Sequence, residues 1–389
     1  MDPNCIYLDY NATTPVDPEV LESMLPYLTD HFGNPSSAHP YGRRARAGVD
    51  RARAEVAALI SAEPDEIIFT SGGTEGSQIA LLGAAEAMRE KTGARPLRVV
   101  SFTLEHPATL EPFEALRRHG DEVLLIPPDP NGVVQIDALL ARFEGATPPD
   151  LASMMLAHNE TGALQPVARV GAACAGHGTV FHVDAAQAIG KIPVDVRAIG
   201  CHFLAIAGHK LYAPKGIGAL YCRRDAPVRA MMPGAGQERG LRGGTENVPG
   251  IVGLGKACAL ARARLAAGEP ERLRTLRERL WNGLRAAIPG ISRTSASVET
   301  LPNTLHVRFP GVHGNALLDA TPGIAASTGS ACHSGIDRAP AAILALGVTE
   351  DDALGSVRLS LGHSTDAAAV DAAIERLARG WRSVRTERR

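Results

Sequence analysis

From Ile67 onward the chain alternates short apolar runs with stretches of helical periodicity. The runs are Ile67 to Thr70, Arg98 to Phe102, Glu122 to Ile126, Leu151 to Leu156, Val180 to Val183, Phe203 to Ile206 and Ile217 to Cys222. This rhythm predicts α/β layers. Most of the runs lack polar alternation, as strands covered on both faces do, so a mainly parallel sheet under helices is expected. Ahead of them, Asp17 and Pro18 make an N-cap followed by a proline at the first helical position, opening a helix to about Tyr27. A second helix is expected from Arg43 to Ile60. Beyond Gly255 the texture changes to a long Ala/Arg/Leu helix through about Arg264, a helix from Pro270 to Ile288, and a strand pattern around Asn303 to Phe309. A closing helix, about Asp366 to Arg379, carries its apolar residues on one face. This second part reads as a smaller α+β domain.

Composition narrows the function. The 389 residues are 45% hydrophobic and 21% charged, as in an ordinary folded protein with one large domain and a smaller one. A formal net charge of -2 gives no field that would draw the chain to nucleic acid or to an anionic membrane, so a small-molecule substrate is favoured. Met1 to Tyr10 has no basic region followed by an apolar run, and no export or membrane span is expected. The six cysteines (Cys5, Cys174, Cys201, Cys222, Cys258 and Cys332) are far apart with no CxxC pair. That fits neither a zinc cage nor a disulfide scaffold and points to a reducing, cytoplasmic setting. Cations are mostly arginine, and any amine chemistry must come from Lys91, Lys191, Lys210, Lys215 or Lys256. The stretch GIVGLGK (Gly250 to Lys256) is a near miss to a phosphate-binding P-loop, with Ala257 where a Ser or Thr must hold magnesium and no strong strand before it.

Four elements carry candidate chemistry. The run Ile67 to Thr70 leads into Ser71, Gly72, Gly73 and Thr74 and then a helix, a turn whose free N–H groups suit a phosphate. Asp184 ends an apolar strand, where α/β proteins bind ligands, and a carboxylate there can keep a pyridine nitrogen protonated. Lys210 follows another apolar run in Ala207-Gly208-His209-Lys210, where a buried amine favours its neutral or covalently bound form. Ala326 to Gly335 is a loop of small residues around one thiol, Cys332, able to carry a nucleophile to a substrate. Alone, each has a plainer reading: a helix cap for the Gly-Gly-Thr turn and for Asp184, a surface lysine, a core cysteine.

Together, and in this order, the motifs resemble those of the class V, fold-type I pyridoxal-phosphate enzymes, specifically the NifS/IscS-like cysteine desulfurases and the related selenocysteine lyases. The resemblance spans LDYNATTP (Leu8 to Pro15), GNPSS (Gly33 to Ser37), TSGGTEG (Thr70 to Gly76), EHPA (Glu105 to Ala108) and NETG (Asn159 to Gly162). It continues through HVDAAQAIGK (His182 to Lys191), GHKLYAPKGIGALY (Gly208 to Tyr221), RGGTEN (Arg242 to Asn247), STGSACHSG (Ser327 to Gly335) and RLSLGHST (Arg358 to Thr365). It implies a large domain, residues 15–257, with a mainly parallel seven-stranded sheet covered by helices. Residues 1–14 and 258–389 would form the small domain carrying the cysteine loop.

The resemblance further implies pyridoxal 5'-phosphate on Lys210, with Asp184 at the ring nitrogen, Gln187 near the phenolate oxygen and His106 stacked on the ring. Gly73, Thr74 and His209 would hold the phosphate, and Thr245 would reach the phosphate of the other subunit of a homodimer. Asn11, Asn159 and Arg358 would bind the substrate. Lys210 would move the α-proton, with help from His106. Cys332 would take sulfur from L-cysteine as a persulfide, releasing L-alanine, and pass it to an acceptor protein that could serve iron–sulfur cluster assembly, tRNA thiolation or cofactor synthesis. His333 is a candidate activator of that thiol. Two departures stand out: Ala207 replaces a phosphate-binding serine, and His202 replaces an acid in what is expected to be a surface change. ACHS and Ala207 also resemble animal selenocysteine lyases, which keeps L-selenocysteine as an alternative substrate. A class V aminotransferase would use the same lysine and aspartate without needing Cys332, and a sulfur-relay protein would have no turnover of its own.

Overall fold

The computed structural model describes residues 5–93, 95–145, 147–329 and 338–387. In chain order the strands are β1 (Ile6–Tyr7), β2 (Ile67–Thr70), β3 (Arg98–Phe102), β4 (Glu122–Ile126), β5 (Leu151–Met155), β6 (Val180–Asp184), β7 (Phe203–Ala207), β8 (Gly218–Cys222), β9 (Ser292–Arg293), β10 (Thr304–Arg308), β11 (Ile324–Ala325) and β12 (Ser356–Ser360). The seven apolar runs are β2 to β8, each end within one residue of its expected place. They form one sheet in the order β2, β8, β7, β6, β5, β3, β4. Every pairing is parallel except the two made by β8. The fold is therefore α/β with a mainly parallel seven-stranded sheet.

Both faces of this sheet are covered, which is why its strands lack polar alternation. Ile67 and Phe69 pack into a core with Val20 of α1 (Pro18–Leu28) and Val49 and Val56 of α2 (Pro40–Leu59). Ile68, between them, faces the other core with Ile79 of α3 (Gly73–Thr92) and Phe113 of α4 (Pro107–Arg118). Only the edge strand β4 leaves alternate side chains exposed, at Glu122 and Leu124. Helix α2 starts three residues earlier than expected, because His39 caps it by accepting from the Gly42 N–H (3.3 Å) and Pro40 takes the first turn.

A separate core joins Leu280 and Leu284 of the helix Glu269–Ala287, Val307 of β10, Leu359 of β12, and Val370 and Leu377 of the helix Ala367–Glu387. That last helix runs past Arg379 because Trp381 and Val384 continue its buried stripe. Leu8 also lies in this core, and β1 pairs in parallel with β11. The helix Val248–Ala266 behaves differently from the change of texture after Gly255. Its buried residues, Val248 through Ala261, belong to the core around the large sheet, so a division at 257/258 falls inside a helix. The change of core comes with the next helix. No helix of the described residues is long and apolar enough to cross a membrane.

The GIVGLGK stretch lies within that helix, and its glycines are contact points. A Cβ added to Gly255 would sit 2.5 Å from the Ala52 Cα of α2, and one on Gly253 would press on the Met24 side chain of α1. Backbone cannot move aside as a side chain tip can, so Gly255→Ala should lower stability by about 1–3 kcal/mol. A thermal or urea melt checks this; an unchanged midpoint would mean the two helices separate at little cost.

Candidate active site

The registers of β5, β6 and β7 bring Met155, Asp184 and Ala205 level with one another. The C-terminal ends of these strands open onto a cavity of about 320 Å³. Crevices at this edge of an α/β sheet are where ligands bind. Ten of the twelve expected site residues line it: Asn11, Gly73, Thr74, His106, Asn159, Asp184, Gln187, His209, Lys210 and Arg358. Thr245 is exposed and lies outside the cavity. Cys332, with His333, lies outside the described residues.

Lys210 ends a short 3-10 turn, Gly208–Lys210, that follows β7 directly. The turn is clamped from the N-terminal segment: the Thr14 N–H and hydroxyl both donate to the His209 carbonyl, at 2.9 and 3.0 Å. The Lys210 amine donates to the main-chain oxygens of Asn11 (2.6 Å) and Ala12 (2.8 Å). Burial, reinforced by the positive charge of Arg358, lowers the amine to about 8. A substantial neutral fraction therefore exists near neutral pH, the form in which an amine attacks a carbonyl.

Asp184 faces the same space. Its Oδ1 accepts the Ala186 N–H (2.9 Å), but burial outweighs that bond and the nearby His106 and Lys210, and raises the carboxyl above its ordinary value. A cation bound beside it would reverse that shift. His106 caps α4, its Nδ1 accepting the Ala108 N–H (3.1 Å), which leaves the proton of the neutral ring on Nε2. Its ring is open to the cavity yet surrounded by protein, and the loss of water holds it below its ordinary value. Glu105, immediately before it, is buried, accepts the Met155 N–H (2.6 Å) and is pushed up to about 8, chiefly by burial, so it adds no second anion near Asp184 at neutral pH.

At the end of the cavity beside β2, helix α3 begins at Gly73 with Thr74 at its first turn, and His209 lies nearby. Burial and the neighbouring Lys210 and Lys215 hold His209 down to about 4, so it is neutral and can donate one N–H. The loop around Thr245 is tied to this end: Arg242 Nε donates to Glu75 Oε1 in the first turn of α3 (2.9 Å), and Arg46 pairs with Glu246 (3.1 Å). On the opposite wall Arg358, from β12, is buried. It donates to the Asn159 carbonyl (3.0 Å) and to Asp9 Oδ1 (2.6 Å), while its Nε has no partner among the described residues. Ser327 exchanges main-chain hydrogen bonds with Arg358, so the chain leaves the described residues just after this wall.

Sequence reasoning missed three participants. Asp9 anchors Arg358, Glu105 holds the Met155 N–H at the end of β5, and Lys191 is buried with its amine on Asn11 and Gln187. Lys191 had a signal, since it falls four residues after Gln187 in a run of small and apolar residues. His202, expected at the surface, is half-buried, and its Nδ1 accepts the Phe181 N–H (3.1 Å), extending the hydrogen bonding of β6. Among the described residues no group of three or more His, Cys, Asp or Glu side chains could hold a metal.

The donors at the α3 end, the carboxyl of Asp184 at mid-cavity and the depressed amine of Lys210 are the chemistry that a phosphorylated pyridine aldehyde requires. The family model for class-V aminotransferases matches residues 6–373. A protein of Anaeromyxobacter dehalogenans named cysteine desulfurase IscS is 45% identical over 374 residues, covering 95% of this chain and 90% of that protein. Among solved structures, a NifS-like protein superposes with a TM-score of 0.88 at 35% identity, covering 96% of this chain and 98% of its own. A structure of SspA in complex with cysteine does so with a TM-score of 0.79 at 32% identity, covering 91% and 98%. The chain belongs to the class-V aminotransferase family, within its NifS/IscS-like group of cysteine desulfurases.

Proposed function

We propose that this chain is a pyridoxal-phosphate-dependent cysteine desulfurase that converts L-cysteine to L-alanine and places the sulfur on Cys332. The observation that carries the reading is the cavity in which the half-buried, readily deprotonated Lys210 and the strand-end carboxyl of Asp184 face one space. When bound, pyridoxal 5'-phosphate supplies an electron sink that lets the α-proton of an amino acid leave. The chain's own residues do the rest. Gly73 and Thr74 at the start of α3, with His209, hold the phosphate. Asp184 would keep the ring nitrogen protonated, Gln187 would donate to the ring oxygen and His106 would lie against the ring. Lys210 would hold the cofactor and accept the substrate α-proton.

Arg358 grips the substrate carboxylate with Asn159 beside it; the unpartnered Nε of the buried guanidinium supports this, since such a donor is satisfied by an acceptor from the substrate. Asn11 enters chiefly through its main-chain oxygen, because its side-chain amide is taken up by Thr304 and Lys191. Cys332, as thiolate, attacks the substrate sulfur: a sulfur–sulfur bond forms, the carbon–sulfur bond breaks, and its electron pair and a proton leave with alanine. Four of the five described cysteines are buried, and burial raises each of their thiols. That supports Cys332 as the reactive one. A homodimer, with Thr245 of one protomer completing the phosphate site of its partner, and an acceptor protein for the sulfur belong to the same reading.

The test is the purified, cofactor-loaded protein with L-cysteine and, separately, L-selenocysteine. Alanine released from cysteine supports the reading, alanine from selenocysteine alone makes the chain a lyase, and none from either overturns both. The lowered Lys210 adds a pH prediction. Below about 8 the neutral amine grows tenfold per pH unit, so the rate at which cofactor-free protein takes up the aldehyde should rise with pH and level off near that value. A rate still climbing steeply toward pH 10 would indicate an ordinary lysine.

A further inference from the structure

Lys191 holds an amine that the reaction above does not use. It is buried, and among the described residues it makes no ion pair. Its Nζ donates instead to two amide oxygens, Asn11 Oδ1 and Gln187 Oε1, each at 2.8 Å. Burial, with Lys210 and Arg358 close by, holds this amine well below its ordinary value. The neutral form suits the place, since its two N–H groups match the two oxygens and add no further charge beside Lys210.

The consequence is for Gln187. An amide can turn over about its last bond, exchanging its oxygen for its NH2 group, and only its neighbours decide which faces the ligand. With both Lys191 N–H groups used, one on Asn11 Oδ1 and one on Gln187, that amide presents its oxygen there. Its NH2 group then points the other way, donating to the Asn11 main-chain oxygen (3.0 Å) and leaving a second N–H for the cavity that Gln187 lines. The same Asn11 oxygen receives the Lys210 amine, and Asn11 Oδ1 also accepts from Asn303 Nδ2 (3.1 Å). Asn11 and Gln187 are thus locked together next to Lys210.

We propose that Lys191 is a positioning residue for the cofactor: by holding Gln187 Oε1 it fixes that amide with its N–H toward the cavity, as donor to the ring oxygen. This rests on the pyridoxal-phosphate reading of the cavity. Without Lys191 the amide is free to turn its oxygen toward that ring oxygen, where it repels rather than donates. An oxyanion that loses a donor holds its shared proton more tightly, so the visible band of the loaded protein titrates at higher pH.

The experiment follows that band through a pH titration in wild type, Lys191→Met, Gln187→Leu, the double variant and Lys191→Gln, whose amide keeps a donor. A hydrogen bond to a charged oxygen corresponds to about one to two pH units. Lys191→Met is expected to raise the titration point by that amount, Gln187→Leu to match it, the double variant to add nothing, and Lys191→Gln to stay near wild type. Lys191→Met at the wild-type value, or shifts that add in the double variant, would overturn the proposal. Should Lys191→Met fail to fold, Lys191→Gln decides: a wild-type titration supports the donor role and a shift like that of Gln187→Leu refutes it. A wild-type protein that forms no visible band at all would instead defeat the cofactor reading on which the proposal rests.

Discussion

Lys210→Ala protein should release no measurable alanine from cysteine, a loss of at least about 10⁴-fold, the upper end of what a single acid–base group contributes. Lys210 has two duties, carrying the cofactor and taking the α-proton, and among the described residues no other lysine lines the cavity to replace it. Lys191, the nearest substitute, is held on Asn11 and Gln187. Loss of the visible band in the variant, read by absorption, checks the first duty. If added cofactor and a small amine restore some alanine release, the second is confirmed as proton transfer rather than architecture. Lys210→Ala protein with unimpaired turnover would remove the basis of the proposed mechanism.

Cys332→Ala separates the desulfurase from an aminotransferase using the same cavity. The thiol is needed only after the α-proton has left, so the variant should still bind cofactor, still change its absorption with L-cysteine, and yet release alanine at least about 10³-fold more slowly, as when a nucleophile is removed. The four buried described cysteines cannot substitute, since their thiols are raised by burial, those of Cys174 and Cys201 to about 12. Alanine release at the wild-type rate would mean that the sulfur leaves by another route.

Much of the sheet was legible because its strands are short apolar runs and both faces of the sheet are covered. Asp184 and Lys210 were legible for the same reason: a charged residue at the end of a buried strand marks the binding edge. Glu105 was not, because a glutamate in a turn carries the same sequence signal whether it faces water or a buried N–H, and Lys191 had only its spacing from Gln187 to mark it. The extent of the helix Val248–Ala266 was hidden by its glycines, which come near a P-loop pattern until Ala52 and Met24 are seen against them. His202 misled in the opposite sense, since only the register of β6 against β7 reveals that its ring meets the Phe181 N–H. The Gly73–Thr74 turn was legible as a phosphate cup from its place between an apolar strand and a helix, whereas the roles of His106 and Thr245 came from the resemblance, because one histidine and one threonine have many plainer uses.

The most direct measurement is mass analysis of the peptide containing Cys332 after the cofactor-loaded protein has turned over one equivalent of L-cysteine without an acceptor. This peptide should gain the mass of one sulfur atom, in step with the alanine released, and a reductant should remove the gain. Alanine released with Cys332 unmodified would contradict it.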